Sequence, residues 1–211
     1  MPLVPRIAAI VLGLIALPAL AQTSTASANL PVTPATAPAY PRVALETSAG
    51  RMVIELYPDK APHTVENFLS YVKDGHYNGT VFHRVIPDLL IQAGAFTPDL
   101  QQKPERGPIV NEADNGLSNL RGTIAAARRS SDKNSATAQF FINTVDNRQF
   151  DYDSDASDLT SGYCVFGRVV EGMDVVDKIR VVATGARAPF PSDVPMSPVV
   201  IERAVELESK P

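Results

Sequence analysis

Cysteine is nearly absent from this chain of 211 residues: Cys164 stands alone, so no intrachain disulfide can form in any redox compartment and a thiolate zinc site has little to build on. Its setting, Tyr163-Cys164-Val165-Phe166, reads as a strand, which makes the thiol a buried, inert group rather than a nucleophile. An excess of positive charge is also lacking. With 19 Lys and Arg against 23 Asp and Glu, the net charge is −4, which gives no basic footprint for nucleic acid and no polybasic patch for a lipid surface. His63, His76 and His83 show neither the HExxH pattern nor paired i, i+4 spacing, and no Gly-x-Ser-x-Gly elbow occurs. Asp151, Asp153, Asp155 and Asp158 have a faint likeness to a calcium loop, but the turn glycine and the closing glutamate are missing, so a solvated loop is the reading. Neither a metal nor a cofactor is expected.

An apolar run of signal-peptide length occurs at the N-terminus. Arg6 supplies a positive start, Ile7 to Leu20 an apolar stretch, and Ala19-Leu20-Ala21 a small-x-small cleavage site, so residues 1–21 read as a signal peptide cut before Gln22. The competing reading, an uncleaved anchor, suits Pro18 and this short run poorly, since a span must cross ~30 Å of hydrocarbon. No cysteine lies near the cut, which argues against a lipid anchor. Residues 22–40 are rich in Thr, Ala, Ser and Pro with almost nothing large to bury, and read as a flexible, partly stiffened linker. A single folded domain is expected over 41–211, and the protein is expected outside the cytoplasm.

That domain begins with a hairpin signal. Val43, Leu45 and Thr47 alternate with Arg42, Ala44 and Glu46, then Ser48-Ala49-Gly50 turns the chain into Met52–Leu56. Pro62 suits a first helical turn, and Val65, Phe68, Leu69 and Val72 recur with helical spacing before Gly75. Strand-like runs follow at Val81–Ile86, Leu89–Ala93, Gly122–Ala127, Gln139–Asn143, Cys164–Val169 and Pro198–Leu207. Met173, Val176 and Ile179 mark a second amphipathic helix. Many strands with two helices favour a mainly β fold: a closed antiparallel barrel plugged at its ends, since closure removes exposed edges.

The segment Phe82-His83-Arg84-Val85-Ile86-Pro87, followed by Gln92-Ala93-Gly94, joins a cation and an amide within apolar surface. In Gln139-Phe140-Phe141-Ile142-Asn143, alternation puts Gln139 and Phe141 on one face and Phe140 and Ile142 on the other; Leu90 and Gln92 pair likewise. One face can be core and the other a site. These segments, with Phe96-Thr97, Arg121–Arg128, Ser135–Phe141 and Val165–Val169 in the same order, resemble a cyclophilin-type peptidyl-prolyl cis/trans isomerase of the bacterial exported, periplasmic subgroup, from roughly Pro41 to the C-terminus.

The resemblance implies an eight-stranded barrel with its site on the outer face, binding proline-containing unfolded or extended polypeptides as a monomer without cofactor. It assigns catalysis to Arg84, an always-charged fork of donors that can hydrogen-bond the amide as it twists. Gln92 would hold substrate or orient Arg84, and Gln139 would add a polar wall. Leu90, Phe141 and Phe150 would seat the proline ring, whereas Phe82 fits the core as well as the pocket. Ala126-Ala127-Arg128 matches a strand edge that grips an extended peptide through its main chain.

This chain departs from the family pattern at several points. Gln149 stands where cyclosporin-sensitive members carry tryptophan, so weak cyclosporin binding is expected. Tyr163 replaces a common site histidine, Leu89 a pocket phenylalanine and Ala126 a larger residue, and Asp151–Gly162 is long. A peptide-binding chaperone using the same groove without turnover is the alternative function; intact Arg84, Gln92, Gln139 and Phe141 favour the enzyme.

Overall fold

The computed structural model describes residues 40–208. The expected signal peptide, and the expected linker apart from Tyr40, lie outside the described residues. Strands β1 (Arg42–Thr47) and β2 (Gly50–Leu56) form the expected hairpin, with Arg42 opposite Glu55 and Leu45 opposite Met52. Helix α1 (Pro62–Lys73) starts on its proline and buries Val65, Phe68, Tyr71 and Val72. Its N-cap residue, Ala61, offers no side-chain acceptor. The role falls to Glu112, whose carboxylate accepts from the backbone N–H of His63 (3.1 Å) and Thr64 (2.8 Å) and from the Thr64 hydroxyl (2.7 Å). Helix α2 (Met173–Arg180) buries Val175, Val176 and Ile179. Among the described residues, no helix is long and apolar enough to cross a membrane.

The expected strand Val81–Ile86 is two: β3 (Thr80–Val81) and β4 (Arg84–Ile86). Then come β5 (Leu90–Ala93), β6 (Thr123–Ala126), β7 (Phe140–Asn143) and β8 (Val165–Glu171). After α2 lie β9 (Thr184–Arg187), β10 (Phe190–Pro195) and β11 (Val200–Leu207). Nine of these strands form one antiparallel sheet in the order β3-β11-β1-β2-β8-β6-β7-β5-β4. The two ends of that order are successive pieces of one segment. The N–H of Phe82 donates to Val199 on the β11 side (3.0 Å), and the N–H of His83 donates to Gln92 on the β5 side (3.1 Å). The strand breaks because the chain changes partners there, and that change brings the two edges of the sheet together. Counted as one strand, 80–86 makes eight, in agreement with the sequence expectation.

The inner face carries Leu45, Ile54, Val85, Ile91, Ile124, Phe140 and Ile142, all at most 1% exposed, in one cluster with the apolar faces of both helices. Phe68 of α1 meets Phe140 and Phe166 at centroid distances of 5.6 and 5.3 Å. The hairpin β9–β10 was not expected from sequence. It forms a separate two-stranded sheet, and Val194 packs there with Val81 and Leu100, ringed by Phe96, Phe190 and Val200.

Candidate active site

The sheet register assembles the site. Arg84 on β4 lies opposite Gln92 on β5, Gln92 opposite Phe141 on β7, Phe141 opposite Ala125 on β6, and Ala125 opposite Val165 on β8. Residues paired directly across strands project to the same face, so five strands present one transverse row. The row begins on the cation and runs into apolar surface.

Leu90, Ala125, Phe141 and Val165 form a second buried cluster, separate from the main core, with Leu89, Leu117, Ala127, Phe150 and Tyr163 half-buried around it. The rings of Phe141, Phe150 and Tyr163 meet edge to face at 5.8, 5.6 and 5.2 Å between centroids. Such contacts fix the orientation of the three rings. Phe82 is 1% exposed in the main core, so it takes no part.

Gln92 donates its Nε2–H to Gln139 Oε1 at 3.0 Å, leaving the Gln92 carbonyl and the Gln139 amide N–H groups for other partners. Among the described residues the guanidinium of Arg84 makes no hydrogen bond; its ionic neighbour is Asp193, 4.0 Å from Nε. Its donors are therefore open to a bound molecule. On the Gln92–Gln139 pair opens a cleft of about 340 Å³, lined also by Gln102, Glu105, Ala127, Arg128 and Arg129 among others. A cavity of about 310 Å³ between Asn111, Lys133, Tyr152 and Asp155 shares no residue with the row. Gly94 allows β5 to pass close by: its φ is +106°, and a Cβ there would lie 2.7 Å from the carbonyl oxygen of Ala138.

Arg128 is placed differently from the other residues singled out in the sequence. Its guanidinium donates to the carbonyls of Gly162 (2.8 Å), Asp158 (2.7 Å) and Arg129 (2.9 Å) and stacks 4.6 Å over the Tyr163 ring. The side chain clasps the long 151–162 loop, which leaves the main chain of 127–128 as the part that could meet a ligand. The N–H of Ala127 is already held by Gln139 (3.0 Å), while among the described residues the N–H of Arg128 has no partner.

Three asparagines to which the sequence reading gave no role support this aromatic cluster. Asn143 donates to Asn119 (3.1 Å) and Thr123 (2.9 Å), and Asn147 donates to Asn143 (2.8 Å) and to the Leu89 carbonyl (2.7 Å). Asn119 in turn holds the carbonyls of Phe150 (3.1 Å) and Tyr163 (3.2 Å). Loops carrying Leu89, Phe150 and Tyr163 are thereby tied to β7. In sequence Asn119 and Asn147 look like ordinary loop polar groups and Asn143 like the end of a strand, and no local signal marks their role.

His83 projects away from Arg84, as alternation requires. It is 3% exposed, its ring lies 4.7 Å from Phe96 and 5.5 Å from Phe190, and its Nδ1 has no hydrogen-bond partner. Burial lowers its pKa to about 4, so the ring is neutral near pH 7. Burial likewise pushes the Cys164 thiol up to about 12, as an inert sulfur requires.

Comparison with known proteins identifies the family. The family described as cyclophilin type peptidyl-prolyl cis-trans isomerase/CLD matches residues 42–206. The peptidyl-prolyl cis-trans isomerase cyp18 of Streptomyces antibioticus is 58% identical over 162 residues, covering 77% of this chain and 96% of that protein. Peptidyl-prolyl cis-trans isomerase B of Escherichia coli K12 is 54% identical over 160 residues, covering 76% and 96%. A crystal structure of a Cryptosporidium parvum cyclophilin type peptidyl-prolyl cis-trans isomerase shares the fold at a TM-score of 0.67 and 22% identity, over 81% of this chain and 99% of that one. With a family match across the whole barrel and relatives more than half identical along nearly their full length, this chain belongs to the cyclophilin-type peptidyl-prolyl cis-trans isomerases.

Proposed function

We propose that this isomerase acts on proline-containing segments of unfolded, exported polypeptides, with Arg84 as the group that stabilises the twisted X–Pro amide. Rotation about a peptide bond faces a barrier of about 18–20 kcal/mol because the nitrogen lone pair is conjugated with the carbonyl. As the bond twists, the nitrogen becomes pyramidal and its lone pair can accept a hydrogen bond that neither planar ground state can match. A donor placed there lowers the barrier without proton transfer or a covalent intermediate.

The single observation that carries this reading is the transverse row, in which an uncommitted guanidinium stands two strands from an aromatic cluster. Neighbouring strands are about 4.8 Å apart, so roughly 10 Å separates the backbones of Arg84 and Phe141. A proline ring seated on Leu90, Phe141 and Phe150, with Leu89 and Tyr163 at the rim, leaves its nitrogen on the side toward Arg84. Gln92 and Gln139 lie along the intervening edge to hold the adjoining carbonyl. The free N–H of Arg128 extends that grip to the peptide main chain, which makes recognition tolerant of sequence. A second Cryptosporidium parvum structure, obtained in the presence of the dipeptide Ala-Pro, supports proline peptides as the ligand class. Gln149, exposed at the rim and bonded to Asn147 (3.1 Å), supports weak cyclosporin binding.

Export rests on the first 21 residues, whose basic start, apolar run and Ala-Leu-Ala sequence suit a periplasmic leader. Fusing residues 1–40 to a reporter active only outside the cytoplasm tests it, and a reporter left inside would refute it. For the chemistry, cis-to-trans isomerisation of an Xaa-Pro-Phe peptide is measured at low temperature. Arg84→Ala is expected to lower kcat/KM by on the order of 10²–10³ while the circular dichroism spectrum is unchanged. Near-normal turnover by that folded variant would remove Arg84 from the mechanism.

A further inference from the structure

We infer that Asp193, on the β9–β10 hairpin, is a positioning residue for Arg84. The inference rests on the catalytic role proposed above for that arginine. Two independent observations carry it. The first is the contact: Asp193 Oδ2 lies 4.0 Å from Arg84 Nε, with the two side chains 35% and 44% exposed. The second is the backbone: Asp193 has φ +63°, one of two non-glycine residues with positive φ among the described residues, and it sits where the β9–β10 register shifts between Phe190 and Val194. A left-handed conformation is disfavoured for a residue with a Cβ, and aspartate is among the few that tolerate it. Here the irregularity re-aims one side chain of the hairpin, as bulges do. Beside it, Val194 is 2% exposed and anchors the strand under β3, so the carboxylate is carried on a fixed frame rather than a loose loop.

The geometry suits orientation rather than capture. Asp193 approaches the Nε flank of the guanidinium, and its separation from that nitrogen is beyond direct hydrogen-bond length. The terminal nitrogens thus stay available to the amide. A long, exposed arginine otherwise samples many rotamers, and a carboxylate on one side raises the share of time the fork points along the row. Because both groups are partly exposed, the attraction weakens with added salt.

Asp193→Asn is the informative variant, since asparagine keeps the shape and tolerates the left-handed backbone while losing the charge. Expected is a three- to ten-fold fall in kcat, with KM little changed and the thermal midpoint preserved. Asp193→Glu should recover part of the loss. In the Arg84→Ala background the same substitution should have no further effect, because the two act as one unit. Unaltered kcat in Asp193→Asn, or an equal fall with and without Arg84, would overturn the inference while leaving the role of Arg84 intact. Full activity in Arg84→Ala alone would instead overturn the catalytic reading on which it rests.

Discussion

Phe82, His83 and Arg84 are neighbours in sequence with three different fates. Phe82 lies in the main core, His83 in the small cluster beneath the β9–β10 hairpin, and Arg84 in solvent on the outer face. Simple alternation would place Phe82 beside Arg84. It does not, because the strand breaks between β3 and β4 and the two-residue period does not run through the break. The opposition of His83 and Arg84, a nearest-neighbour matter, was legible; the fate of Phe82, two positions away across the break, was not. His83 also carries a pH prediction. Its pKa is about 4 when folded and near 6.5 when unfolded, so as pH falls through about 6.5 the unfolded state takes up a proton that the folded state refuses. Stability conferred by the neutral ring is therefore complete above about pH 6.5, declines toward pH 4 and levels off below. At about pH 5 the loss comes to about 2 kcal/mol. Urea unfolding near pH 7.5 and pH 5 checks this: His83→Phe, which needs no partner for Nδ1, should show a drop smaller by about that amount, and equal drops would contradict it.

At the scale of elements, α1 shows what local pattern can and cannot supply. Its proline start and buried face follow from spacing, but Ala61 leaves the first N–H groups without a local acceptor. The carboxylate that serves them belongs to Glu112, 48 residues beyond Thr64, and no local signature announces a cap at that distance. An acidic group at a helix N-terminus also meets the positive end of the helix dipole. Glu112→Ala is expected to cost about 1–2 kcal/mol, read as a lower urea midpoint with unchanged slope, and to leave kcat nearly unaltered because α1 packs on the inner face. The β9–β10 hairpin was missed for a related reason. Thr184–Pro195 carries Gly185, Pro189, Pro191 and Pro195 and little alternation, so it reads as loop; Phe190 and Val194 become recognisable as anchors once Phe96, Leu100 and Val200 are beside them.

On the scale of the whole molecule, the outer row depends on the register of the sheet. The strands from β4 to β8 must keep register across four pairings for Arg84, Gln92, Phe141, Ala125 and Val165 to align, and a one-residue slip would turn members of the row inward. Both helices and the core belong to residues 42–206, the span of the family match. Removing residues 1–39 is accordingly expected to leave kcat/KM within about two-fold and the thermal midpoint within a few degrees, since a difference of 1 kcal/mol shifts the midpoint by roughly 2–4 °C in a domain of this size. Loss of activity in the shortened protein would show that the N-terminal segment contributes to the fold or the site.

The sequence by itself determined the family, the hairpin, both helices and the faces of β5 and β7, because each rests on short-range periodicity or on residue types in a fixed order. Only the tertiary structure decided which distant groups meet: Glu112 on α1, Asp193 beside Arg84, the asparagines beneath the aromatic cluster, and Arg128 at the edge of the cleft with its guanidinium on the carbonyls of Asp158 and Gly162. Those contacts depend on where barrel closure brings separate loops. Backbone periodicity constrains a side chain's direction within its own element and is silent about the element it will face.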